Sequence, residues 1–125
     1  AETGGLAGWL SFGRTVAGTP SYIAPEQLRN QKPTPAMDIY SFGATIFEML
    51  AGRPPFIGES QDQVMQQHLQ ETPKPVSYYN REVSIDMDRL VTSMLAKDPE
   101  ARPRDMKAVL HRLGRLQVFQ TRLGA

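Results

Sequence analysis

Thr19 stands between Gly18 and Pro20, with Tyr22 and Glu26 close behind, and these are the residues of this chain best suited to chemistry. Glycine and proline set a turn, so the Thr19 hydroxyl is offered on a bend as both donor and acceptor. Pro25 then opens a helical turn that carries Glu26. Upstream, Thr15, Ser11 and Thr3 are hydroxyls that could accept a phosphate. Such a phosphate adds nearly two negative charges and can order a loop against arginines. Glu26 and Arg102 carry opposite charge but lie far apart, and two surface charges are the ordinary expectation for such residues. Asp38 falls in the first turn of a helix, where a carboxylate is favourable against the dipole.

Other residues invite chemistry that their surroundings do not support. Gly4, Gly5 and Gly8 do not form a Gly-x-Gly-x-x-Gly, and no strand pattern precedes them. His68 and His111 sit on expected helices without carboxylate or histidine neighbours at ligand spacing, so neither is expected to hold a metal. Both are expected at the surface or partly buried.

The elements that must position these groups are helical. Residues 1–23 are rich in Gly, Ser and Thr and predict an extended surface loop. A short helical turn follows Pro25 as far as Arg29. Thr34-Pro35 gives a hydroxyl cap with proline in the first turn, starting a helix over 36–51. That helix is apolar at nearly every position, which predicts a place in the middle of a core. Gly52 and Pro54-Pro55 end it. Ser60-x-x-Gln63 predicts a capping box for a helix with a narrow face of Val64, Met65 and Leu69, stopped by Pro73. Residues 71–83 are expected to be an irregular loop. Ser84 can cap a third helix on Met87, Leu90, Val91, Met94 and Leu95. A fourth is expected from about Pro103 to Leu113, on Met106, Val109, Leu110 and Leu113. No stretch alternates like a half-buried strand, so the fold class is mainly α.

Composition narrows the rest. At 125 residues the chain is the size of one domain. Its 14 Lys and Arg against 13 Asp and Glu give no reason to expect nucleic acid or an anionic membrane as partner. With no cysteine it has no disulfide or thiolate metal site, which fits a reducing compartment. No apolar run approaches the roughly 18 residues of a membrane span. The first residues lack the basic and apolar regions of a signal peptide, and the missing initiator Met suggests a piece of something longer.

Three motifs in order carry a resemblance to a known family. Gly18-Thr19-Pro20-Ser21-Tyr22-Ile23-Ala24-Pro25-Glu26, Asp38-Ile39-Tyr40-Ser41-Phe42-Gly43 and Lys97-Asp98-Pro99-Glu100-Ala101-Arg102-Pro103 resemble the C-terminal half of a Ser/Thr protein kinase catalytic domain. Gln27 and the Tyr40-Ser41-Phe42-Gly43 run lean toward the bacterial, eukaryotic-like type. By that resemblance residues 1–23 are the activation-segment remnant and substrate loop, 24–116 the helical subdomains, and 117–125 a C-terminal tail. The resemblance also implies roles. Gly18, Thr19, Pro20 and Tyr22 would receive the substrate, and Thr15, eleven residues before Glu26, would be the regulatory phosphosite. Glu26 would bridge Arg102, while Asp38 would hold the backbone of an upstream catalytic loop.

No catalytic or metal-binding residue of the family is expected in this chain. Ser11-Phe12-Gly13 has serine where Asp-Phe-Gly needs the Mg²⁺ ligand, and it sits too close to Ala24. Phosphoryl transfer needs a lysine on the phosphates, metal-binding side chains and a base near the acceptor hydroxyl. In kinases all lie upstream of the matched region. The expectation is therefore the C-terminal portion of a Ser/Thr kinase whose parent uses ATP and Mg²⁺ on protein Ser and Thr, the piece itself binding neither and transferring nothing. Its expected partners are a Ser/Thr-containing peptide or protein and the upstream half of the domain. The expected location is cytoplasmic, with membrane anchoring of the parent left open. A pseudokinase-like docking module and a truncated inactive product are the alternatives.

Overall fold

The computed structural model describes residues 21–29 and 31–120, which form five α-helices, and α1, Pro35–Ala51, contributes the most residues to their core. Thr34 is extended and its side chain accepts from the Met37 N–H, with Pro35 in the first turn, as the sequence predicts. Gly52 ends α1 in the left-handed region at φ 81°, its N–H donating to the Glu48 carbonyl. Asn80 caps the same end by donating to the Leu50 carbonyl at 2.9 Å.

α1 is not apolar on all sides. Met37, Ile39, Tyr40, Ala44, Ile46 and Phe47 are buried, whereas Asp38 and Thr45 are exposed and Met49 is 77% exposed. One face thus stands free among the described residues, even though nearly every position of the helix is apolar. The buried face meets α4, Ile85–Met94, through Met87, Leu90, Val91 and Met94. Ser84 caps α4 by accepting from the Met87 N–H. The crossing is close at Gly43, where a Cβ would come within 2.8 Å of Met94 Cβ. Any side chain at this position must push the two helices apart.

α2, Gln61–Gln70, lies against the 3₁₀ turn of Pro25–Arg29. Ser60 accepts from the Gln63 N–H, but Gln63 Oε1 reaches the N–H of Glu59 rather than that of Ser60. The box therefore closes one residue early. The irregular loop expected over 71–83 contains a short helix, α3, Val76–Tyr79, whose Val76 enters the core. Pro99–Ala101 is a second 3₁₀ turn. α5, Met106–Arg115, starts later than expected because Asp105 caps it, accepting from the Ala108 N–H at 2.8 Å. Leu110, expected on its apolar face, is 56% exposed. After α5 the chain is pinned to the start of α4, with Ser84 N–H donating to the Val118 carbonyl and Gln120 N–H to that of Glu82. Val83 and Phe119 form an isolated antiparallel bridge, and no strand is present among the described residues.

Candidate functional site

Gly18, Thr19, Pro20 and Thr15 lie outside the described residues, as does Ser11-Phe12-Gly13, so the site begins at Ser21. Tyr22 is held from both ends. Its carbonyl accepts from Ser41 Oγ at 2.7 Å, and its hydroxyl donates to Glu48 on the last turns of α1. The Glu48 bond pushes the Tyr22 phenol up to about 12, with burial and the Glu48 charge adding to it. A carboxylate near a helix C-terminus meets the unfavourable end of the dipole. The Tyr22 hydroxyl gives Glu48 a local partner there.

Glu26 follows in the 3₁₀ turn, where Pro25 and Glu26 are both buried. Arg102 meets it in a bidentate pair, Nη1 to Oε2 at 2.6 Å and Nη2 to Oε1 at 2.7 Å. The two side chains are 4% exposed or less. The rest of the guanidinium is also used. Nε donates to the Ala96 carbonyl, Nη1 to that of Ala36 and Nη2 to that of Lys97. All five N–H donors of the fork therefore have an acceptor. Two buried charges are tolerable when paired and hydrogen-bonded in this way. The pair ties the turn after Tyr22 to the start of α1 and to the second 3₁₀ turn.

A second set of buried polar groups lies beside the first. The Arg102 guanidinium packs over the Tyr40 ring, 4.9 Å from its centroid. Tyr40 Oη is 2.6 Å from His68 Nδ1, and the His68 ring is edge-on to Phe56. Burial raises the Tyr40 phenol well above its ordinary range. His68 is fully buried, against the expectation of a surface or partly buried residue. Burial chiefly, and then the Lys97 charge, lower its pKa to about 3, so the imidazole is neutral at physiological pH. Lys97 donates to the Gln67 carbonyl at 3.3 Å and lies over Phe56, and burial brings its ammonium down to about 8.

Two predicted site residues are thus brought together, Glu26 and Arg102, and Tyr22 is placed just before them. Asp38 stands exposed in the first turn of α1, its side chain without a hydrogen bond to another described residue. Glu48 and His68 were missed from sequence. Beside Ser21, a groove of about 290 Å³ is lined by Pro54, Phe56, Ile57, Gly58 and Val64, among others. Its apolar walls alternate with the polar Ser21, Glu59, Ser60 and Gln61. Among the described residues no group of three or more His, Cys, Asp or Glu converges as a metal site. No helix among them is long and apolar enough to cross a membrane.

Comparison with known proteins agrees with this arrangement. Residues 5–113 match the family model for the protein kinase domain. The serine/threonine-protein kinase PknB of Mycobacterium leprae is 44% identical over 87 residues, which is 70% of this chain and 14% of that protein. PknB of Mycobacterium tuberculosis is 42% identical over the same span and shares. A probable serine/threonine-protein kinase of Streptomyces coelicolor is 39% identical over 87 residues, 70% of this chain and 13% of that protein. The chain spans about a seventh of the length of these curated relatives. This chain belongs to the protein kinase domain family, in the bacterial eukaryotic-like branch, and its described residues form the helical C-terminal part of that fold.

Proposed function

We propose that the chain is the substrate-loop base of a Ser/Thr protein kinase whose parent moves the ATP γ-phosphate, with Mg²⁺, to Ser or Thr hydroxyls of proteins. The observation that carries this is the buried Glu26–Arg102 fork, which follows closely on Tyr22 in the chain. It fixes the segment that follows Gly18, Thr19 and Pro20 to the start of α1 and to the second 3₁₀ turn. A loop so held at one end can present backbone and hydroxyl groups to a peptide at low entropic cost. Thr19 would then hydrogen-bond the catalytic groups supplied upstream, and Asp38, exposed at the α1 N-terminus, would accept from the backbone of the catalytic loop. Phosphorylation of Thr15 would order the segment through an upstream arginine.

On this proposal the chain alone transfers nothing. Transfer from radiolabelled ATP to a Ser/Thr peptide library should be absent with the isolated chain. It should be present with a longer protein whose frame continues upstream through the catalytic motifs. Transfer by the isolated chain would overturn the proposal, and peptide binding without transfer by the longer protein would make it a pseudokinase-like docking module. Intact-mass mapping of the longer protein tests Thr15: full activity with Thr15 unmodified would remove its regulatory role. The expected site of action is the cytoplasm.

A further inference from the structure

Helices α4 and α5 flank an open cleft of about 480 Å³. It is lined by Asp86 and Arg89 of α4, His111, Arg112 and Arg115 of α5, and Leu116, and shares no residue with the groove beside Ser21. Three guanidiniums against one carboxylate leave a formal excess of two positive charges with the histidine neutral. None of the three arginines makes an ion pair with another described residue. The helix that supplies two of them carries Lys107, His111, Arg112 and Arg115 and no acid from Met106 to Arg115.

Helix electrostatics accounts for part of this. Arg112 and Arg115 lie in the last turn of α5, where cations offset the dipole. Arg89 lies in the middle of α4 and gains nothing from that helix's ends. Arg112 Nη1 is 3.5 Å from Ser93 Oγ of α4, so its guanidinium bridges toward the helix that carries Arg89. Like charges gathered in one concavity repel one another and favour an anion between them. Guanidinium forks suit phosphate because they donate two parallel bonds to its oxygens.

We propose that this cleft binds the phosphate monoester of a phosphorylated serine or threonine on a protein segment. The two-charge excess matches the nearly dianionic monoester at neutral pH. The choice of phosphoserine or phosphothreonine as carrier rests on the kinase proposal above, since these are the products such an enzyme makes. The cleft would hold a phosphorylated protein away from the groove that receives the next acceptor.

Fluorescence anisotropy on the full 125-residue chain tests this. The probe is a short labelled peptide with one phosphothreonine flanked by glycine and alanine, beside its unphosphorylated copy. Binding of the first and not the second is expected, weakening as salt rises. Arg89→Gln and Arg115→Gln should each weaken it by about tenfold, the scale of a lost charge-assisted hydrogen bond, while Lys107→Gln, outside the cleft, should not. Equal affinity for the two peptides would overturn the proposal. So would inorganic phosphate binding as tightly as the peptide, which would make this a free-anion site. Binding to phosphatidylserine-containing vesicles with no binding of the phosphopeptide would overturn it in favour of a lipid surface. No phosphate transfer is read, so failure here leaves the kinase proposal standing, and an inactive longer protein would leave the binding result intact.

Discussion

Around Arg102 a guanidinium is stripped of water and given an acceptor for every N–H, whereas around α5 three guanidiniums crowd one cleft with no ion-pair partner among the described residues. Arg104, two residues past Arg102, belongs to neither setting: its side chain is 88% exposed and its nearest carboxylate, Asp105, is 3.8 Å away. The same residue type is structural in one region and available in the other. What separates them is the backbone. Carbonyls of Ala36, Ala96 and Lys97 converge on Arg102, because the second 3₁₀ turn is folded back against the start of α1. In the α4–α5 cleft no backbone carbonyl among the described residues accepts from the guanidiniums of Arg89, Arg112 or Arg115, and a bound anion is the natural partner.

The largest expected effect breaks the buried side of this contrast. Glu26→Ala strands a buried guanidinium and Arg102→Ala a buried carboxylate, each costing about 3–5 kcal/mol. The double variant should lose far less than the sum, because the second substitution removes the charge the first left unpaired. Urea titrations of the single and double variants measure this. Additive losses would show that the two side chains do not depend on each other.

The neighbouring buried group gives a smaller, pH-dependent effect. His68 titrates near 6.5 when unfolded and near 3 when folded. Between these values the unfolded chain binds the extra proton, so stability is lost as pH falls from 6.5 toward 3 and is unaffected above 6.5. The slope expected from this residue is about 1 kcal/mol per pH unit. Carboxylates also titrate in that window, so the measurement is the difference between the parent chain and His68→Gln, followed by denaturant midpoint. A difference that stays flat across the window would mean that the imidazole is solvated in the folded state.

How much of this was legible in the sequence differs between the same regions. α1 was readable at both ends, since Thr34-Pro35 and Gly52 are local signals whose physics acts within a few residues. α4 followed from Ser84 and its apolar spacing. The Glu26–Arg102 pair could not be read from the residues themselves, because pairing across the chain is a tertiary fact, and it was anticipated only through family resemblance. His68 was misjudged, although a cue existed: it stands four residues after Val64, on the same buried stripe of α2. Glu48 had a cue as well, an acid near the C-terminus of an apolar helix, where only a partner makes it favourable. Leu110 and α3 had none. Exposure of the first depends on what α5 packs against, and α3 is a single turn that gains its stability from Val76 in the core.

Tyr22 sharpens the contrast from the half-exposed boundary between the two settings. Its hydroxyl donates to Glu48, so Tyr22→Phe should cost roughly 1 kcal/mol, well below the loss at Glu26. The raised phenol fixes the sign of a pH effect. The stabilising bond is fully present below pH 10, the unfolded value, and is lost as pH rises toward about 12. Phenolate absorbance during an alkaline titration should therefore lose its most basic readily accessible transition in the Tyr22→Phe variant. An unchanged titration would place the Tyr22 hydroxyl in solvent.

Arg104 should show the smallest effect, and its size decides whether environment rather than residue type sets the value of an arginine here. Its contact with Asp105 joins adjacent residues, both largely in water, so the attraction is screened and offset by the entropy of holding a long side chain. Asp105 is already engaged in capping α5 through the Ala108 N–H, which does not need Arg104. Arg104→Ala should therefore change stability by less than about 0.5 kcal/mol, and by the same amount at low and high salt. A loss near that of Arg102→Ala would mean that the Pro99–Asp105 segment as a whole, and not the buried fork, holds the second 3₁₀ turn against α1.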